Sequence, residues 1–113
     1  VIKTAALPRG VRLRSAAQFV GHFPQRLHGT WYQVLARPGV ESEGAKLGLI
    51  VGRKAAPRAV DRALARRLAR EVFRRARATL PALDVVIRLK SVIEDKDRAA
   101  AGAELRALLN RLK

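Results

Sequence analysis

Residues 57–78 read PRAVDRALARRLAREVFRRARA, and the folding of this stretch decides how the rest of the chain is arranged. Leu64, Leu68 and Val72 recur every four residues, and Pro57 is tolerated in a first helical turn, so the spacing predicts a helix from about Ala56 to Ala78. Thr79-Leu80-Pro81 ends it. At about 100° per residue, Arg62, Arg66, Arg67, Arg70, Arg74 and Arg77 fall on one broad arc, with Leu64, Ala65, Leu68 and Val72 opposite. Like charges four apart on a helix cost roughly 0.2–0.5 kcal/mol per pair, and Arg62, Arg66, Arg70 and Arg74 stack such pairs in succession. Helix stability alone would not select this face. A phosphate backbone would, because guanidinium groups make forked hydrogen bonds to phosphate and each neutralised phosphate releases counterions. Arg53, Lys54 and Arg58 extend the same basic patch, and only Asp61 and Glu71 dilute it.

On the N-terminal side, Lys46–Gly52 (KLGLIVG) and Thr30–Arg37 (TWYQVLAR) are rich in strand formers. Pro38-Gly39 and the polar loop Glu41–Gly44 separate them, and two adjacent antiparallel strands are the simplest reading. Ser15–Phe23 is predicted as a short helix: Ser15 and Gln18 have capping-box spacing, and Pro24 stops it. On the C-terminal side, Asp84–Lys90 (DVVIRLK) is a continuous β-branched strand. Asp97–Leu112 is an amphipathic helix carrying Ala101, Leu105, Leu108, Leu109 and Leu112, with Asp95 or Asp97 as its cap. The order α-β-β-α-β-α implies an α/β or α+β sandwich.

The 113 residues are one domain's worth of chain, 1–113. Apolar residues make up 49%, yet one Trp, one Tyr and three Phe leave the core to Leu, Val, Ile and Ala. Twenty-four Lys and Arg against nine Asp and Glu give a formal charge of +15, whose self-repulsion a polyanion would relieve; nucleic acid is the expected partner. The chain has no Cys, so neither a disulfide framework nor a thiolate zinc site is available, and a cytoplasmic location is expected by default. No apolar run approaches the ~20 residues of a membrane span. Residues 1–14 lack the apolar core of a signal peptide, and the start at Val1 without Met suggests a trimmed end.

Ala59-Val60-Asp61-Arg62 followed by Arg66-Arg67-Leu68-Ala69-Arg70-Glu71-Val72-Phe73-Arg74 resembles the helix of the bacterial ribonuclease P proteins that carries their Arg-Asn-Arg motif. Lys46–Lys54 resembles the family's strand before that helix, Leu80–Val86 the strand after it, and Arg12-Leu13 with Phe19 and Phe23 the first helix. The resemblance covers most of the chain from Arg12 onward. It departs at the motif core, which here is Arg62-Ala63-Leu64: the first Arg is kept, and the Asn and second Arg are absent. The interface with a catalytic RNA is thereby implied to be weaker or reorganised, with Arg66, Arg67 and Arg70 taking more of the charge.

The resemblance implies an α+β fold, a two-layer α-β sandwich of order α-β-β-(β)-α-β-α with a left-handed βαβ crossover, although handedness statistics favour the opposite hand. It also implies the protein subunit of a ribozyme endoribonuclease that removes the 5′ leader of precursor tRNA. Two surfaces carry over. Arg53, Lys54, Arg58, Arg62, Arg66, Arg67, Arg70 and Arg74 match the surface facing ribonuclease P RNA. Arg12, Arg14, Phe19, Phe23, Tyr32, Val34 and Lys90 match the cleft for the single-stranded leader, where aromatics stack on unpaired bases and cations hold phosphates. Phe19 and Phe23 at helical spacing are equally readable as core.

The chain has two His, His22 and His28, and no nucleophile beside a base. Glu94, Asp95 and Asp97 are explained by helix capping more readily than by Mg²⁺. No catalytic residue, metal site, bound cofactor, small-molecule substrate or membrane contact is expected of the protein, with Mg²⁺ belonging to the RNA-containing holoenzyme. The competing reading is a structural RNA-binding protein of ribosomal type, whose charge and thin core would look the same. A DNA-reading helix is disfavoured, because six arginines on one face leave few side chains to read base edges.

Overall fold

Alternation of buried and exposed side chains organises the sheet, as it must where one face is covered by helices. The computed structural model describes residues 22–113. In chain order these form β1 (Gln25–His28), β2 (Tyr32–Pro38), β3 (Lys46–Ile50), α1 (Ala59–Ala76), β4 (Leu83–Leu89) and α2 (Arg98–Asn110), with short 3₁₀ turns before β3, after α1 and before α2. The expected α+β sandwich is what is observed. The predicted helix Ser15–Phe23 lies outside the described residues except for its last two positions.

The sheet order is β1-β2-β4-β3; β2 is antiparallel to both its neighbours, and β3 runs parallel to β4 through the α1 crossover. The expected adjacency of Thr30–Arg37 and Lys46–Gly52 is therefore corrected: β4 lies between them. Its Val85-Val86-Ile87 run is buried on both sheet faces, and only a central position supplies cover for both. β1 escaped the bottom-up sequence reading because Gln25-Arg26-Leu27-His28 has a single apolar side chain. As an edge strand it needs no more, and its exposed Arg26 and His28 guard the edge.

Tyr32, Val34 and Ala36 of β2, Leu47 of β3, and Val85, Ile87 and Leu89 of β4 point to the helix layer. They meet Ala65, Ala69, Val72, Phe73 and Ala76 of α1 and Leu105, Leu108 and Leu109 of α2 in one core. The buried stripe of α1 is thus rotated from the predicted one: Leu64 and Leu68 are half-buried on its flank, and Phe73 is fully buried. The Tyr32 hydroxyl donates to the Ala65 carbonyl at 2.8 Å, tying β2 to α1. Burial, with a smaller contribution from the nearby Glu104 carboxylate, holds the Tyr32 phenol well above its ordinary range.

α1 begins three residues later than predicted, because Gly52–Ala56 closes a turn, the Ala56 N–H donating to the Gly52 carbonyl. At the far end of the sheet, the Glu104 carboxylate of α2 accepts N–H bonds from Thr30, Trp31 and Tyr32, holding the β1–β2 turn. A Cβ at Gly29 would crowd the Glu104 carboxylate, so a side chain there would displace it from these N–H groups. Asp97 sits at the N-cap of α2 without a side-chain capping bond, and Asp95 instead pairs with Arg98 at 2.9 Å. No helix among the described residues is long and apolar enough to cross a membrane.

Candidate nucleic-acid interface

The arginines of α1 divide by position. Arg67 and Arg74 project from the outer face of the helix, while Arg66 and Arg70 are half-buried at its edge. The two at the flanks are committed to the fold: Arg62 donates through Nη1 to the Ala56 and Pro57 carbonyls at 3.0 and 2.7 Å, and Arg77 donates to the Ala45 and Glu43 carbonyls. Arg62, the arginine kept from the motif core, therefore braces the turn that enters α1. Arg53, Lys54 and Arg58 are exposed on that turn, and Arg58 lies 3.8 Å from Asp61.

The second surface is the sheet face away from the helices. Strand register sets its side chains in rows. His28 pairs with Gln33, Gln33 with Arg88 and Arg88 with Ile50, giving one row across all four strands. The next row is Arg26, Leu35, Val86 and Gly48, and beyond it Arg37, Asp84 and Lys46 follow. Phe23 packs on Leu35 and Val86 and is 4% exposed. The Arg37 guanidinium lies 4.7 Å from the Phe23 ring centroid and is held by Asp84 at 3.2 Å. Its contact with the ring is a cation–π pair.

Two of the expected cleft residues are corrected here. Tyr32 and Val34 are both 0% exposed beneath the helices, because the two-residue period that carries Gln33 and Leu35 to the opposite sheet face carries them into the core. Arg12, Arg14 and Phe19 lie outside the described residues. Lys90 stands at the rim of the open face, with its Nζ donating to the Gly29 carbonyl at 2.8 Å.

Where the first row meets the turn before α1, a hollow of about 420 Å³ is lined by His28, Gln33, Lys54, Arg88 and Lys90. Lys54 comes from one predicted surface and Lys90 from the other, so the two surfaces meet here. The bottom-up sequence reading missed Gln33 and Arg88 as surface residues, though their alternation with Val34 and Ile87 was the available signal. Neighbouring cations with an amide give the hollow a positive lining, the chemistry that suits consecutive phosphates of an unpaired strand. Among the described residues, no group of three or more His, Cys, Asp or Glu is placed to hold a metal ion. Glu94 pairs with Lys96, and Asp95 with Arg98.

The family model described as ribonuclease P matches residues 7–113. The ribonuclease P protein component of Azoarcus sp. strain BH72 is 39% identical over 103 residues, covering 89% of this chain and 85% of that protein. The corresponding protein of Chromobacterium violaceum is 37% identical over 106 residues, covering 92% and 87%. Among solved structures, a mutant Staphylococcus aureus RNase P protein superposes with a TM-score of 0.75 at 20% identity, over 90% of this chain and 87% of that one; at this identity the likeness is one of fold. The Thermotoga maritima RNase P protein gives a TM-score of 0.61 at 26% identity, over 79% and 84%.

Proposed function

The chain belongs to the ribonuclease P protein family, and from that premise we propose that it is the subunit that binds the catalytic RNA of ribonuclease P and the 5′ leader of precursor tRNA, promoting endonucleolytic release of the mature tRNA 5′ end in the bacterial cytoplasm. The observation that carries this reading is the hollow at His28, Gln33, Lys54, Arg88 and Lys90, where the turn into the arginine helix meets the open sheet face. A protein bridging an RNA subunit and an RNA substrate needs two binding surfaces that share an edge. The two basic surfaces meeting at this hollow support that reading.

In this reading Arg66, Arg67 and Arg74, with Arg53, Lys54 and Arg58, neutralise phosphates of the RNA subunit. The departure at Ala63-Leu64 moves that contact along the helix, since Arg62 is spent on the Ala56 and Pro57 carbonyls. The leader runs along the row at the hollow, its phosphates held by Arg88 and Lys90 and its bases lying over the His28 and Gln33 positions. Stacking of bases is sequence-tolerant, which suits leaders of any composition. In this reading the Mg²⁺ expected in the holoenzyme would be held by the RNA subunit and would supply the hydrolytic chemistry there. The protein's part is to lower the repulsion between two polyanions and to hold the leader in line.

The test is 5′ cleavage of a precursor tRNA by purified bacterial ribonuclease P RNA at low Mg²⁺, with and without this protein and beside a protein-only control. Cleavage that requires both components is the expected result. Tight RNA binding without rescue of cleavage would instead favour a structural RNA-binding protein.

A further inference from the structure

On the outer side of the helix layer, α1 and α2 leave a groove of about 390 Å³ between them. Its floor is Leu68, Val72, Ala76 and Gly102, and the absent Gly102 side chain keeps it open above Leu68. Arg75 stands on one wall and Arg98 and Arg106 on the other, with Glu71 the one carboxylate among the lining residues. No fold contact among the described residues engages Arg75 or Arg106, and both are exposed. Arg98 is held only by the exposed Asp95, a surface pair worth little and readily exchanged.

We infer that this groove is a second RNA-binding surface, taking a phosphodiester backbone of folded RNA against Arg75, Arg98 and Arg106. The inference rests on the reading of the chain as an RNA-binding subunit and extends it to a face that neither predicted surface includes. Charge complementarity selects a polyanion: Arg75, Arg98 and Arg106 line the groove against one carboxylate, and Arg98 and Arg106 lie about 12 Å apart along α2, a span that successive phosphates of one backbone cover. Guanidinium forks match phosphate oxygens, and the apolar floor accepts the sugar edge of the strand. Continuity supplies the rest of the argument. Arg74 and Arg75 are consecutive on α1 and point about 100° apart, so the outer arginine face and the groove adjoin around the helix.

The experiment is equilibrium binding of labelled ribonuclease P RNA to the full chain across a range of monovalent salt. Arg75→Ala/Arg106→Ala is compared with Arg66→Ala/Arg67→Ala and with Glu71→Gln, and thermal melting confirms that each variant folds. Each phosphate contact contributes about 0.7–0.9 to the log–log salt slope, so the groove variant is expected to lose roughly 1.4–1.8 of slope. Glu71→Gln, by removing the groove's carboxylate, is expected to tighten binding several-fold. An unchanged slope in Arg75→Ala/Arg106→Ala beside a reduced one in Arg66→Ala/Arg67→Ala overturns the groove and leaves the α1 face standing. Unchanged slopes in both overturn the wider RNA-binding reading as well. Polyglutamate of matched charge competing as well as RNA would assign the groove to an acidic protein and overturn its assignment to RNA.

Discussion

The arginine face of α1 and the open face of the sheet are both basic, but they are built in different ways. The first is one continuous segment whose helical period spaces the charges, with Arg67 and Arg74 outward, Arg66 half-buried at the edge, and Ala65, Ala69 and Phe73 inward. The second is assembled by register: His28, Gln33 and Arg88 come from three strands and become neighbours only when those strands pair. A helical surface tolerates rearrangement, since charge lost at one turn is replaced at the next. In Arg62-Ala63-Leu64 followed by Arg66-Arg67, charge absent at one turn is present at the next. A sheet surface has no such latitude, because a slip of one residue would exchange Gln33 for Val34.

The largest effect expected from this contrast concerns the helix. Replacing Arg66, Arg67 and Arg74 with Ala should reduce the salt slope of binding to ribonuclease P RNA by roughly 2.1–2.7, at about 0.7–0.9 per contact, with thermal stability little changed. A slope that stayed at the wild-type value would separate the arginine face from the RNA. The sheet surface should break through its scaffold instead. Glu104→Ala removes the acceptor of the Thr30, Trp31 and Tyr32 N–H groups. Hydrogen bonds to a charged group are worth about 1.5–3 kcal/mol, and a loss of that size in denaturant unfolding is expected. Loss of leader binding should accompany it while RNA-subunit binding persists in the folded fraction.

A smaller effect links the two layers. Tyr32→Phe removes the bond to the Ala65 carbonyl and should cost about 0.5–1.5 kcal/mol. The raised phenol pKa fixes the sign of its pH dependence. The folded state holds the Tyr32 proton more tightly than the unfolded state, so the stabilisation is complete below the ordinary value of about 10 and declines as pH rises beyond it. The stability gap between wild type and Tyr32→Phe should therefore be constant near neutral pH and narrow in alkali. A gap that widened there would contradict the buried hydroxyl.

The contrast also explains which parts of the molecule were legible in sequence. The α1 helix, the β4 strand and the α2 helix announce themselves through local period and β-branching, and each begins and ends within a few residues of its expected bounds. The pairing order was not legible locally: a loop from Pro38 to Ala45 reads as a hairpin connection, and β4 is marked only by burial on both faces, Val85 and Ile87 in the main core and Val86 beneath Phe23. Alternation separates Tyr32 from Gln33 but does not say which of the two faces is roofed by helices. That choice depends on where Ala65 and Leu105 pack, information carried by other elements, and it sent Tyr32 and Val34 to the wrong surface. Arg62 and Arg77 sit on the arginine arc by angle, yet nearby carbonyls claim them, and no local pattern marks a carbonyl left unpaired by a turn.

The row of Gln33 and Arg88 as the leader's track is tested most directly by the binding of precursor tRNA with a long leader and with none to the holoenzyme carrying Gln33→Ala/Arg88→Ala. The wild-type preference for the leader-bearing substrate should shrink toward unity in the variant, while affinity for the leaderless tRNA and the salt slope for the RNA subunit stay as they were. Equal losses for both substrates, or an undiminished leader preference, would contradict the assignment of this face.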